Sequence, residues 1–135
     1  MWTDREGVAG VALLAMYADG VIAQEEDEVL RERLVEYPLF ADLDEDGLGR
    51  VLARLSVASE ERGAETMLRD WASAIAPALR PTAFLIAAEI VAADGEVAPE
   101  EDEYLARAAK ALELPPAQAA QIVEVLSIRL RRASQ

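Results

Sequence analysis

The stretch Ala18–Leu30 reads ADGVIAQEEDEVL, and Ala93–Leu105, 75 positions further along the chain, reads ADGEVAPEEDEYL. Nine of the thirteen positions are identical, and two of the four differences keep an apolar residue. Each copy follows an apolar run and opens a second, amphipathic one, with an Asp-Gly pair between the two. A repeat of this length predicts that a unit of helix, acidic turn and helix occurs twice in the fold.

Helical signals continue on both sides of the two copies. Thr3-Asp4-Arg5-Glu6 has the pattern of a capping box, Pro38 should end the second helix, and Pro81 suits the first turn of a fifth. We expect a third helix from about Asp44 to Ala58, with Ser59 as the cap of a fourth. No stretch alternates as a strand would. The sequence therefore predicts an all-α fold of about seven helices, with an internal helix–turn–helix repeat around a central apolar helix.

The expected central helix is the fifth, Pro81 to Ala93, because it is apolar on nearly all sides and should be the most buried element. It carries one acid, Glu89, and a buried carboxylate needs a partner, so we expect an arginine or a hydroxyl beside it. The length of 135 residues favours a single domain over residues 1–135, with repeat units at about 4–37 and 81–113.

Composition narrows the possible functions. The chain has no Cys and no His, which excludes disulfides, thiol chemistry, histidine-based catalysis and ordinary zinc sites. Its net charge of −13 opposes binding to nucleic acid and to anionic membranes, and favours cations or basic protein surfaces as partners. A carboxylate-dependent enzyme remains a third hypothesis, but nothing supplies it with a nucleophile or a substrate pocket. We therefore expect a protein that is not an enzyme.

The amino terminus and the apolar runs indicate where in the cell the protein is expected. The amino terminus lacks the basic flank of a signal peptide, and the longest apolar runs are too short to span a bilayer. We expect a cytoplasmic protein with no direct membrane insertion.

The repeated acidic turns allow two interpretations. Acids in the first turn of a helix offset the helix dipole, each by about 0.3–1 kcal/mol, and a turn aspartate can simply bond to nearby backbone. Alternatively, the turns form a cation site, because hard divalent ions prefer oxygen ligands. One turn offers too few ligands, whereas two turns brought together offer four carboxylates, those of Asp19, Glu26, Asp94 and Glu101. The candidate ions are Ca²⁺, Mg²⁺ and Mn²⁺.

A further acidic cluster, Asp42 to Gly47, reads DLDEDG and imitates the opening of an EF-hand loop. The twelfth position of such a loop is Ala53, where a bidentate glutamate is required. We therefore expect a solvated, capped start of a helix here.

The pattern A-D-G-x-[IV]-x-x-x-E, after an apolar helix and before an amphipathic one, resembles the tellurite-resistance TerB family. It spans Ala18–Glu26 and Ala93–Glu101, and the likeness extends over essentially the whole chain. The sequence departs from the family pattern at Ala23 and Ala98, where the family usually has a hydroxyl residue. The resemblance implies an all-helical, non-enzymatic bacterial protein of the cytoplasm that takes part in resistance to tellurite and other stresses.

Two functions follow as hypotheses. The first is a TerB-like stress-response module whose acidic Asp-Gly turns bind a divalent cation. The second is a metal-independent helical adaptor whose acidic face binds a basic protein surface. The resemblance implies protein partners in either case, among them membrane-associated stress proteins.

Overall fold

The computed structural model describes residues 1–18, 24–93, 97 and 99–130, without the side chains of 24–27. Its elements are seven α-helices and two short 3₁₀ turns, at Pro38–Phe40 and Pro77–Leu79. Over these ranges there is no strand, so the predicted all-α class is confirmed. The helices are α1 (Asp4–Met16), α2 (Gln24–Val35), α3 (Glu45–Arg62), α4 (Ala64–Ala74), α5 (Arg80–Val91), α6 (Pro99–Ala111) and α7 (Pro116–Arg129).

The start of α1 is the predicted capping box. The Thr3 hydroxyl accepts from the Glu6 N–H at 3.2 Å, and the Glu6 carboxylate accepts from the Thr3 N–H at 3.0 Å. Glu6 is buried, and its second oxygen accepts from Arg54 of α3 at 2.7 Å. The cap therefore also joins two helices, because a carboxylate can accept several hydrogen bonds at once.

The central helix is α1, so the prediction that the fifth helix is the most buried element is wrong. Every residue of α1 from Glu6 to Met16 is buried, whereas α5 leaves Leu85 and its first turn partly exposed. Helix α1 contacts α2, α3, α4, α5 and α6. Helix α5 contacts α1, α2, α6 and α7, which is one helix fewer than α1 contacts.

Two glycines on α1 allow α4 to pack against its backbone. A Cβ built on Gly10 would lie 2.3 Å from Cδ2 of Trp71, and one built on Gly7 would lie 2.6 Å from the Trp71 carbonyl oxygen. Real atoms do not approach so closely, so only glycine fits at these two positions without a shift. Trp71 is completely buried and covers the space that the missing side chains leave.

The two copies of the repeat form helix pairs with equivalent bounds. Helices α2 and α6 begin at Gln24 and Pro99, which are 75 positions apart. Arg5 at the start of α1 donates to the Leu39 carbonyl and pairs with Asp42, beyond the end of α2. Its counterpart Arg80, at the start of α5, lies 3.6 Å from the carboxylate of Glu113, beyond the end of α6. In both pairs an arginine therefore holds the start of the first helix beside the end of the second.

The boundary between α3 and α4 differs from the prediction. Ser59 does not cap a fourth helix, because α3 continues through it to Arg62. The break falls at Gly63, with φ 88° and ψ 148°, and the Gly63 N–H donates to the Ser59 carbonyl at 2.9 Å. Residues with a side chain rarely adopt this conformation, so glycine decides where the helix ends.

We expect Gly63→Ala to lower the free energy of unfolding by about 1–3 kcal/mol, because alanine is strained at this φ. A Cβ at Gly63 would meet nothing within 4 Å, so the effect is purely conformational. Gly49→Ala is the matched control: Gly49 lies inside α3, and its added Cβ would make ordinary contacts with Arg31. That change should stabilise the protein by about 0.5–1 kcal/mol. Urea denaturation of both variants checks the pair, and equal effects would contradict it.

Among the described residues, no single helix is long and apolar enough to cross a membrane. Helix α4 and the segment Pro77–Val91 together have the length and the apolar composition of a membrane span. The chain bends by 116° at the break between them.

Candidate functional site

The two helices that lead into the acidic turns end in the same way. Tyr17 closes α1 with φ −98° and ψ 7°, and Ala92, its equivalent, closes α5 with φ −88° and ψ 1°. Their N–H groups donate to the equivalent carbonyls of Leu13 and Ala88. The next residues also match, since the N–H of Ala18 and that of Ala93 each donate to the third residue before, both at 3.3 Å. The chain therefore enters both Asp-Gly segments with the same backbone geometry.

The predicted metal ligands lie mostly outside the described part of the molecule. Asp19 and Asp94 are outside the described residues, and Glu26 belongs to α2 by its backbone but its side chain is not described. Glu101 lies in the first turn of α6 and is partly buried. Within the described ranges, no three acids are grouped closely enough to hold a metal ion. The site of four carboxylates therefore stays a prediction.

Glu89 is a buried acid whose carboxylate has several side-chain partners. It is buried on α5, and its carboxylate accepts from the Tyr37 hydroxyl and from Arg129 of α7 at 2.9 Å. Arg33 of α2 lies 3.5 Å from the same oxygen as Arg129. The expected pairing with an arginine or a hydroxyl is confirmed, and both kinds of partner are present. One carboxylate thus joins α2, α5 and α7.

The cluster that imitates an EF-hand is a capped helix start, as predicted. Asp44 is the N-cap of α3, and its carboxylate accepts from the Gly47 N–H at 2.6 Å. Asp42 pairs with Arg5, and the hydrogen bond from that guanidinium holds the pKa of the Asp42 carboxyl below its usual value. Both carboxylates therefore bind partners within the protein: Asp44 caps α3 and Asp42 pairs with Arg5.

A cavity of about 180 Å³, which the sequence did not predict, lies beside the end of α1. Tyr104 of α6 lies in its wall, and its hydroxyl donates to the Val11 carbonyl at 2.7 Å. Burial raises the pKa of Tyr104, which keeps the hydroxyl protonated as a donor. The only signal in the sequence was that Tyr104 replaces Val29 of the first copy. The lining residues are Leu14, Tyr17, Ala18, Ser59, Ala64, Glu65, Leu68, Tyr104 and Arg107.

Comparison with known proteins identifies the family. A family model described as "Tellurite resistance protein TerB" matches residues 5–124, which is most of the chain. No curated protein and no solved structure gives a match. The matched region includes both acidic segments, all of α1 except its first residue, and the helices from α2 to α6, which agrees with the motif that occurs twice in the sequence. The chain belongs to the TerB family of tellurite-resistance proteins.

Proposed function

We propose that this TerB-family protein is a non-enzymatic helical module whose two acidic turns bind a divalent cation. One observation carries the proposal: α1 and α5 end with the same backbone angles and hydrogen bonds, directly before the repeated acidic segments. Selection for capping alone would not require the Asp-Gly pair and the four following acids to recur together.

The chemistry of the segments suits a hard ion. Ca²⁺ takes about 6–8 oxygen ligands, and Mg²⁺ and Mn²⁺ also accept carboxylates and water. Asp19 and Glu26 of the first copy, with Asp94 and Glu101 of the second, supply four carboxylates, and water or carbonyls complete the shell. Because the ligands come from distant parts of the chain, we expect modest affinity. The absence of Cys and His supports a role that is not catalytic.

Calorimetric titration with Ca²⁺, Mg²⁺ and Mn²⁺ tests this proposal, together with thermal melts in each ion. We expect binding heat and a higher melting midpoint with at least one ion, since a ligand that binds only the folded state stabilises it. Asp19→Asn and Asp94→Asn should each weaken binding about tenfold or more, while asparagine keeps the local turn bonds. The matched control is Asp46→Asn, an acid in the first turn of α3 outside the motif, which should leave the affinity unchanged.

A second candidate is favoured by charge. With a net charge of −13, the protein is suited to bind a basic protein surface without any metal, as a cytoplasmic adaptor in a stress response. Membrane-associated stress proteins are the proposed partners. The absence of binding heat at millimolar ion concentration, with no change in melting midpoint, would favour this function over cation binding. Binding that persists in chelator and weakens steeply with salt would support the adaptor directly.

A further inference from the structure

The cavity beside the end of α1 has an apolar interior and a charged mouth. Leu14 of α1, Leu68 of α4 and Tyr104 of α6 are at most 5% exposed and form its interior. Glu65 of α4 and Arg107 of α6 line the same cavity but are exposed, which places them at its mouth. Pockets that bind small molecules combine an apolar lining with a few polar groups in this way.

Helix geometry brings each charged residue to the cavity. Glu65 lies three positions before Leu68 on α4, so both side chains are on the same side of that helix. Arg107 lies three positions after Tyr104 on α6 and shares its side in the same way. The buried residue of each pair enters the interior, and the charged one stays at the surface. The two helices therefore present one carboxylate and one guanidinium to the same opening.

The two charges at the mouth do not pair with each other. Neither the Glu65 carboxylate nor the Arg107 guanidinium has an ion pair or a hydrogen bond within the part of the chain that the structure describes. Asp70, on the same helix as Glu65, instead pairs with Arg62 at 3.1 Å. A ligand at the mouth can therefore bind both charged groups without breaking a bond of the fold.

The charges and the volume together define the class of ligand. A simple anion is opposed by Glu65 and by the net charge of −13, and a simple cation is opposed by Arg107. A molecule that carries both an ammonium and a carboxylate group meets an opposite charge for each of them. A cavity of about 150 Å³ in another protein holds benzene, so an aliphatic side chain of about four carbons fits in this cavity.

We propose that this cavity binds a free aliphatic α-amino acid such as leucine. Its ammonium group binds Glu65, its carboxylate binds Arg107 through charge-assisted hydrogen bonds, and its side chain occupies the apolar interior. The residues described as lining the cavity include none of the four predicted cation ligands, so the proposal goes beyond cation binding.

Calorimetric titration of the intact chain with L-leucine tests the proposal, and three related molecules serve as probes. Isocaproate lacks the ammonium group, isoamylamine lacks the carboxylate, and glycine lacks the side chain. We expect leucine to bind about tenfold more tightly than each of them, or better, because each leaves part of the site without its partner. The absence of binding heat with millimolar leucine overturns the proposal, and so does equal affinity for leucine and isocaproate.

Substitution of the two charged residues separates their roles. Glu65→Gln and Arg107→Gln should each weaken leucine binding about tenfold or more, and both residues are exposed, so the variants should keep the fold. In Glu65→Gln leucine should lose its advantage over isocaproate, and in Arg107→Gln it should lose its advantage over isoamylamine. The matched controls are Glu61→Gln and Arg69→Gln, at exposed positions outside the cavity, and they should leave the affinity unchanged.

The response to chelator distinguishes this site from the proposed cation site. Leucine binding should persist in chelator and in Asp94→Asn. Binding that chelator abolishes overturns the proposal, since a metal ion rather than the two side chains would then hold the ligand. Equal weakening by the cavity variants and their controls overturns it as well, as does unchanged affinity in both Glu65→Gln and Arg107→Gln.

Discussion

Trp71→Ala is expected to lower the free energy of unfolding by about 3–5 kcal/mol, the range for removal of a buried aromatic side chain. Trp71 is completely buried, packs on Gly10 of α1 and meets Trp2 edge-to-face at 5.7 Å. Its indole nitrogen has no hydrogen-bond partner among the described residues, so the loss is one of packing alone. Urea denaturation followed by circular dichroism measures it, because fluorescence would change with the loss of the indole.

The contact between Trp71 and Gly10 of α1 allows a test with a double variant. Gly10→Ala alone should cost about 1–3 kcal/mol, because its Cβ would press on the Trp71 ring. In the double variant the ring is gone and the Cβ has room, so the combined loss should be clearly smaller than the sum of the two. Gly49→Ala is again the control for adding a methyl group within a helix, and additive losses for Gly10→Ala and Trp71→Ala would contradict the packing described here.

Glu89→Ala is expected to cost about 2–4 kcal/mol. Removing one partner of a buried ion pair commonly costs about 3–5 kcal/mol, and the loss here is reduced because Arg129 is 63% exposed and can regain water. Arg33 and the Tyr37 hydroxyl are more enclosed and would lose a partner in the interior. Thermal or urea denaturation of the variant gives the total loss of stability.

Hydrogen exchange would locate the effect. Because Glu89 ties α7 to α5 and α2, amides of α7 should lose more protection in Glu89→Ala than amides of α1. Arg129→Ala is the control, since it leaves Glu89 with Arg33 and Tyr37 and should cost about 1 kcal/mol or less. A loss below about 1 kcal/mol for Glu89→Ala would show that the network does not stabilise the fold. Equal and large losses for the two variants would contradict the expectation that Arg33 and Tyr37 suffice as partners of Glu89.

The internal repeat and the family membership support the proposed function. The TerB family model covers residues 5–124, and the two helices before the acidic segments end alike. Of the four predicted ligands, only the side chain of Glu101 lies in the described part of the structure.

Local signals in the sequence predict most of the secondary structure, apart from the boundary between α3 and α4 at Gly63, and the local role of several acids. The capping box at Thr3 and Glu6, and the Asp44 cap of α3, depend on residues within three positions of each other. The helix bounds of the repeat follow from the same kind of local pattern, which is why α2 and α6 begin 75 positions apart. That Glu89 needed a partner was also predictable, because burial of a carboxylate is costly whatever surrounds it.

Tertiary structure alone decided which helix is central and which side chains meet. Helices α1 and α5 are both apolar, but α1 is the more buried because Gly7 and Gly10 let α4 pack on its backbone while other helices cover its remaining sides. The partners of Glu89 come from residues 40 to 56 positions away, and no local pattern identifies them. Periodicity shows that a helix has an apolar face, but burial depends on how many neighbours reach that face, and only the packed fold determines it.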